Sequence, residues 1–277
     1  YTAPLRPGIP YVLNVHDIIA LDHPALCSVQ NAAHMRLLLP SSIRRAAALV
    51  VSSASCADRV RSRFPEVADH VHVVPLGVEV DRFATPRPRP PRLRNIGRYV
   101  LFVGNLEPKK GLPDLLRAFD VVAERCDCHL VLAGRAAWKS RPILRLARSM
   151  RNRSRVVITG RVGDDRLPGL YQHAACFVFP SLTEGFGMPV LEAMAAGAPV
   201  IHSDCPALKE TAAGAGVCVP RGNPGALARA LEQLLTDEPR RQELAAAGST
   251  AAAARPWSRW AETALPLLRN TAEKAPG

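Results

Sequence analysis

Two glutamates eight positions apart carry the densest chemical signal in this chain, in the string Phe179-Pro-Ser-Leu-Thr-Glu184-Gly-Phe-Gly-Met-Pro189-Val-Leu-Glu192-Ala-Met-Ala-Ala-Gly197. The string reads as a buried strand ending at Pro180, a glycine-bearing loop, and a helix with Pro189 at its first position, where a missing N–H costs nothing. Glu184 then lies in the loop and Glu192 in the first helical turn. The main-chain N–H groups of Phe186, Gly187 and Met188 are placed to donate to an anion. Gly185 and Gly187 let a ligand approach the main chain closely. An ionised carboxylate only accepts hydrogen bonds, and a sugar diol offers two donors. The pattern therefore calls for a ligand with both phosphates and hydroxyls, such as a nucleotide sugar. Either acid alone reads equally well as a loop residue or as an acid favoured by the helix dipole; the whole string does not.

The second signal is Gly104-Asn105-Leu106-Glu107-Pro108-Lys109-Lys110-Gly111. It falls between a strand and a helix, the phosphate-binding position of doubly wound folds. Lys109 and Lys110 offer mobile cations to a pyrophosphate. The Gly-x4-Gly-Lys-Ser/Thr pattern of a Walker A loop is absent. The third is His16-Asp17 after an apolar strand, a His that can touch a sugar hydroxyl, move a proton, or be a hydrogen-bonded structural residue.

These residues need elements to position them. Apolar runs suited to strands are Tyr11–Val15, Ala48–Ser52 and Val71–Val74, with helical patterns near 31–47 and 54–64. Ser53 is expected to cap the second helix and Pro40 to kink or divide the first. Thr85 to Arg94 holds four prolines in ten residues, which suits an extended linker. Beyond it strand candidates Tyr99–Val103, His129–Ala133, Val156–Thr159, Cys176–Phe179, Val200–Ser203 and Val217–Val219 alternate with helices at 112–124, 139–150, 164–173, 189–196, 206–212, 224–236 and 238–250. A last helix follows from Trp257. Continuous apolar strands alternating with helices argue an α/β fold with a doubly wound parallel sheet. The expected division is a partial first domain over 1–84, a Pro- and Arg-rich linker over 85–97, a complete ligand-binding domain over 98–252, and a C-terminal helix and tail over 253–277 that crosses back to the first domain.

Composition bounds the rest. The 277 residues are 48% hydrophobic and 22% charged, which excludes a disordered or collagen-like chain. No apolar run nears the ~18–20 residues of a membrane span. Arginine supplies nearly all of a formal charge of +12, since only five of the 36 basic residues are Lys. Such a field favours anionic partners; coding bias is the blander reading. No nucleic-acid motif is present, and aromatics are only 5%, so nucleic acid is not an expected partner. The seven cysteines are odd in number and read as small buried hydrophobes of a reducing, cytoplasmic compartment. Cys126 and Cys128 form the only close pair, without a second pair or a His at ligand spacing, so no metal is expected.

The string from Glu184 to Glu192 resembles the Glu-x7-Glu signature of the large retaining glycosyltransferase family with the GT-B fold, the "glycosyl transferases group 1", which includes bacterial mannosyl-, glucosyl- and rhamnosyltransferases. The likeness spans nearly the whole chain. His16-Asp17 resembles a Thr-x-His-Asp stretch, Val73–Val78 a Val-Pro-Asn-Gly-Val-Asp segment, and Tyr99–Gly111 a Gly-x-Leu-Glu-Pro-Arg-Lys stretch. Gly160-Arg161-Val162, Ser203-Asp204 with Pro206, and the Trp257 helix also fit. The resemblance implies two Rossmann-like domains, the second complete and the first partial. It implies a nucleoside-diphosphate sugar donor, GDP-mannose first and a UDP-sugar next, and a glycan or lipid-linked acceptor. Catalytic roles fall to Glu184, Lys110 and His16. Donor-binding roles fall to Gly104, Asn105, Lys109, Lys110, Arg161, Val162, Glu184, Phe186, Gly187, Met188 and Glu192: the sugar to Glu184, the ribose diol to Glu192, the diphosphate to the lysines, the base to Gly160–Val162. It implies retention, no cofactor or metal, and cytoplasmic or peripheral inner-membrane location with contact to anionic lipid.

Departures from the family pattern are Asn105 or Lys109 where Arg is frequent, Leu76 where Asn is usual, and no Asp in Ala213–Gly216. With few strands in its first part and Tyr1 in place of Met, the chain is expected to be a piece of a longer protein with little activity alone. The alternatives are a non-catalytic nucleotide-sugar or polyanion-binding module and, more weakly, a GT-B epimerase or phosphorylase.

Overall fold

The computed structural model describes residues 2–3 and 8–273. Two units divide the chain. The first comprises the residues before Val78, Glu184–Phe186, and the stretch from Arg255; the second comprises Val78–Thr183 and Gly187–Ala254.

The first unit carries three parallel strands, β1 (Val12–Val15), β2 (Ala48–Val51) and β3 (Val71–Val73), in the order β1-β2-β3. Helices α1 (Ile19–Asp22), α2 (Val29–Arg45) and α3 (Ala54–Arg63) connect them. Val15, Leu39, Ile43, Leu49, Val51 and Val60 are fully buried in its core. Ser53 caps α3 as expected, its Oγ accepting from the Cys56 N–H at 3.1 Å. Pro40, expected to kink or divide the helix around it, does not divide it: α2 runs unbroken for 17 residues. Its buried positions Ala32, Met35, Leu39 and Ile43 recur at helical spacing. Packing of that face outweighs the one backbone hydrogen bond that proline removes.

The second unit opens with α4 (Val80–Ala84) and then alternates β4 (Tyr99–Val103), α5 (Leu112–Val122), β5 (His129–Ala133), α6 (Ser140–Ser149), β6 (Val156–Gly160), α7 (Leu167–Gln172), β7 (Cys176–Phe179), α8 (Met188–Ala195), β8 (Val200–Ser203), α9 (Pro206–Ala212), β9 (Val217–Val219), α10 (Pro224–Thr236) and α11 (Glu238–Ala253). Its six strands are all parallel, in the order β6-β5-β4-β7-β8-β9. Numbered within the unit this is 3-2-1-4-5-6, the Rossmann arrangement, in which ligands sit outside the carboxyl ends of the strands where the order reverses. The reversal falls between β4 and β7.

The proline-rich stretch lies along the second unit. The Gln172 side-chain amide donates to the carbonyls of Phe83 (2.6 Å) and Thr85 (2.8 Å) and accepts from the Arg87 N–H (2.8 Å). Leu93, in a short 3-10 turn, is buried.

The last helix, α12 (Trp257–Ala272), groups with the first unit. Its Trp260, Ala264 and Leu267 pack with Val12, Val50 and Val74. Burial holds for Cys56, Cys126, Cys128, Cys176 and Cys205; Cys27 is half-buried, and Cys218 corrects the expectation by being exposed. Cys218 lies on the edge strand β9 between half-buried Val217 and buried Val219, and side chains alternate across a strand, so it takes the face left open to solvent.

Candidate functional site

The sequence places Gly104–Gly111 after β4 and Pro180–Gly187 after β7, on either side of the point where strand order reverses. The structure stitches these two loops together. The Leu182 N–H donates to the Lys109 carbonyl at 2.8 Å. Gly111, in the left-handed region at φ 66°, begins α5. A Cβ there would lie 2.0 Å from the Pro180 carbonyl oxygen, so only glycine allows this approach. Lys110 Nζ stands 5.0 Å above the Phe179 ring, and Lys109 Nζ lies 3.6 Å from Glu107.

A cavity of about 400 Å³ opens at the carboxyl ends of β4, β5 and β6. Gly104, Asn105, Arg161 and Val162, four residues singled out from sequence, line it. Gly134, Arg135 and Leu167 also line it and were not singled out. Arg135 Nε donates to Asn105 Oδ1 at 3.3 Å, so one wall presents an amide held by a guanidinium. The signal for them was present: Gly134-Arg135 follows β5 as Gly104-Asn105 follows β4 and Gly160-Arg161 ends β6. A repeated glycine at adjacent strand ends marks a shared floor.

Lys109, Lys110, Gly187, Met188 and Glu192 are not walls of this cavity. Glu192 is tied to it by α7: Leu167 lines the cavity, and Tyr171, one turn on along the same face, donates its hydroxyl to Glu192 Oε2 at 2.9 Å. Burial pushes the Glu192 carboxyl above the usual 4.5, against the Tyr171 hydrogen bond and the Arg82 charge, which favour its ionised form. Burial, with the Glu192 charge, holds Tyr171 well above 10, so its hydroxyl stays a donor. Arg82 donates to Glu79 (2.5 Å) and to the Asp164 carbonyl (2.8 Å), anchoring the loop that carries Arg161 and Val162. Tyr171 and Arg82 had no motif to betray them; only folding brings them to Glu192.

Helix α8 starts at Met188, with Gly187 as its left-handed N-cap. Pro189 is therefore the second helical residue, and Glu192 lies just past the first turn, a correction of one position that weakens its pairing with the helix dipole.

Glu184, Gly185 and Phe186 group with the first unit, and so does His16. Gly185 lies against the His16 main chain: a Cβ would sit 1.8 Å from the His16 carbonyl oxygen. The Gly185 carbonyl accepts from Ser53 Oγ at 2.6 Å and Ser52 Oγ at 3.2 Å. The loop bearing Glu184 is thus fixed beside the end of β1. Partial burial lowers the His16 pKa below 6.5, opposed by the Asp17 charge. Asp17 Oδ1 accepts from the Ile19 N–H at 2.9 Å, which starts α1.

Among the described residues no group of three His, Cys, Asp or Glu is placed to hold a metal ion, and no helix is long and apolar enough to cross a membrane.

Known proteins of this architecture can be compared directly. "O-antigen chain mannosyltransferase B" of Escherichia coli is 28% identical over 244 residues, covering 86% of this chain and 64% of its own length. "MMP alpha-(1->4)-mannosyltransferase" of Mycolicibacterium hassiacum is 34% identical over 170 residues, 61% of this chain and 40% of its own length. The chain thus spans less than two thirds of the length of these curated relatives. Among solved structures, sucrose-phosphate synthase of Thermosynechococcus elongatus superposes with a TM-score of 0.78 at 23% identity, over 94% of this chain and 67% of the other. HepE of Anabaena, solved with UDP and glucose, gives 0.77 at 19% identity, over 94% and 72%. These likenesses show the GT-B fold. With the model of the family "Glycosyl transferases group 1" matching residues 88–250, the chain belongs to that family.

Proposed function

We propose that this chain is the donor-binding part of a transferase that moves a hexosyl group from a nucleoside-diphosphate sugar to a glycan or lipid-linked acceptor, with retention and without a resident metal. GDP-mannose is the first donor candidate, in keeping with relatives named as mannosyltransferases; a UDP-sugar is the next, in keeping with UDP in HepE. The observation that carries the reading is the cavity at the carboxyl ends of β4, β5 and β6, with Asn105, Arg161 and Val162 in its wall.

In this reading Arg161 and Val162 flank the nucleobase, and Gly104 and Asn105 give the donor close access to the main chain. Glu192 accepts from the ribose diol. Lys109, Lys110 and the amino end of α8 at Gly187 and Met188 meet the diphosphate. Glu184, Phe186 and His16 contact the transferred sugar. As the anomeric carbon–oxygen bond breaks, charge grows on the leaving diphosphate, and fixed cations and amides lower the barrier most where that charge develops. The leaving phosphate takes the acceptor hydroxyl's proton as the new glycosidic bond forms on the same face. Calorimetric titration with UDP, GDP and their sugars tests the reading. Saturable binding of one nucleotide supports it; no binding of any overturns it. Binding with no product from any acceptor leaves a nucleotide-sugar-binding module.

Glu192 gives this reading a pH signature. Its ionised form accepts the diol, and its folded pKa lies above the ordinary 4.5. Nucleotide affinity is therefore expected to begin falling, as pH drops, above the 4.5 at which an ordinary glutamate would titrate, and Glu192→Gln to flatten that dependence. The same shift means that ionised Glu192 costs folding stability: the loss sets in as pH rises past 4.5 and is complete above the raised value. A pH profile identical in E192Q and the parent chain would remove Glu192 from the donor site.

Contact with anionic lipid is part of the proposal, supported by one stretch of chain. From Cys128 to Gly163 there are nine basic residues and no acidic one. On α6, Arg141, Arg145 and Arg148 are exposed at i, i+4 and i+7, while Ile143 and Ala147 are buried on the other side. Each arginine near an anionic bilayer is worth about 1 kcal/mol at low salt. Co-sedimentation with phosphatidylglycerol vesicles is expected to be lost in roughly 0.5 M salt, where screening is nearly complete. Equal binding to phosphatidylcholine vesicles would contradict the electrostatic contact.

A further inference from the structure

A second cavity, about 440 Å³, opens at the opposite edge of the same sheet. Its walls include residues that immediately precede strands: Gly97 and Arg98 before β4, Ala175 before β7, Pro199 before β8. The cavity lined by Asn105 and Arg161 lies past the other end of β4. The five residues of β4, about 16 Å long at the usual rise, separate the two.

Three guanidinium groups from three separate segments face this cavity: Arg89 from the proline-rich stretch, Arg98 ahead of β4, and Arg241 from α11. Glu238 is the one carboxylate in its wall. Each arginine is anchored by neutral carbonyls. Arg98 Nη1 donates to Leu235 at 3.0 Å. Arg241 Nη1 donates to Leu234 (2.6 Å) and Leu235 (2.9 Å), and Nη2 donates to Glu238. Arg89 donates to the Gly97 carbonyl and lies 5.2 Å over the Tyr99 ring. Carbonyls fix Arg89 and Arg98 without cancelling their charge, while the Glu238 carboxylate offsets that of Arg241, which leaves the wall with a net positive charge. A fixed guanidinium with spare donors is the geometry that binds phosphate oxygens in pairs.

One donor here has no acceptor. Arg89 Nε is buried and unpartnered. A buried donor left without an acceptor is costly, so the Arg89 guanidinium is held with part of its hydrogen-bonding capacity unmet.

We propose that this cavity is a second anion site, for a small phosphate-bearing molecule, separate from the donor cavity and able to be filled at the same time. The site does not depend on the transferase reading, because none of its residues belongs to the donor machinery. Its volume, about 440 Å³, has room for a small phosphorylated molecule. The proline-rich stretch, β4 and α11 meet on it, so occupancy ties the three together.

Inorganic pyrophosphate is the probe, followed by two-dimensional amide NMR on the whole chain. Saturable shifts at Gly97, Arg98, His173 and Ala175 are expected, and Lys110→Met leaves them intact. Arg98→Gln weakens binding there about tenfold or more, the size of one charge-assisted hydrogen bond. Arg89→Gln does the same and guards against a stability effect of Arg98→Gln, since Arg98 also holds the end of α10. The proposal fails if shifts are confined to 104–111 and 160–163, if they grow linearly across exposed arginines, or if the Arg89→Gln, Arg98→Gln pair leaves the affinity unchanged.

Discussion

Lys110→Met is expected to weaken nucleoside-diphosphate binding about tenfold to a hundredfold and to lower any transferase turnover by about 10²–10³. Methionine keeps an aliphatic stem against Phe179, whose ring centroid lies 5.0 Å from Nζ, and removes the ammonium group with its charge and donors. The Lys109 carbonyl and Gly111 tie the loop to Leu182 and Pro180 through main-chain contacts that the substitution keeps, and a melting temperature measured beside the affinity separates lost binding from lost fold. The diphosphate carries its charge through binding and gains more as the sugar departs, so turnover suffers more than affinity. Calorimetry with UDP and GDP, and rates for the nucleotide sugar that binds, read the two effects separately. An unchanged affinity would take Lys110 off the diphosphate. Lys110→Arg restores only part of the loss, because a planar fork presents its donors differently from a point charge.

Gly185→Ala is the second large effect, and it lies in the first unit. The added Cβ would stand 1.8 Å from the His16 carbonyl oxygen and 3.0 Å from Asp17 Cβ. The obstructing atom is backbone, so no rotamer change relieves it. The loop must move, and two buried hydroxyls lose their acceptor, because Ser52 and Ser53 both donate to the Gly185 carbonyl. Ser53 also caps α3 through Cys56. Overpacking against main chain together with lost buried hydrogen bonds is expected to cost about 2–4 kcal/mol in urea unfolding. The His16 ring signals in NMR are expected to shift with it. A loss below about 0.5 kcal/mol, the range of ordinary surface changes, would mean that the Glu184 loop is not held against β1.

Much of this architecture can be read from the residues because strands buried on both faces are continuous apolar runs. Tyr99–Val103, His129–Ala133 and Cys176–Phe179 stand out between polar helical patterns and fold as β4, β5 and β7. The loop after β4 is legible by position, between a strand and a helix; adjacent lysines beside a glycine are common on surfaces and say little alone. Helix boundaries are less legible. The 164–173 pattern folds only as Leu167–Gln172, which lengthens the loop carrying Arg161 and Val162. Pro40 looks like a break because local chemistry says so, and a buried helix face overrides it.

The partners of the candidate residues were least legible. Arg135 meets Asn105, and Tyr171 meets Glu192, across separate elements. No spacing in the sequence encodes those pairs. The exposure of Cys218 follows from where β9 falls in the sheet, which an apolar run alone does not reveal.

Crystals of the chain grown with UDP or GDP address the central claim most directly. The expected density places the base beside Arg161 and Val162, the ribose hydroxyls on Glu192 and the diphosphate at Lys110, past the carboxyl ends of β4 and β5. A nucleotide held at any other surface, or an empty cavity at a concentration that saturates binding in solution, would contradict it.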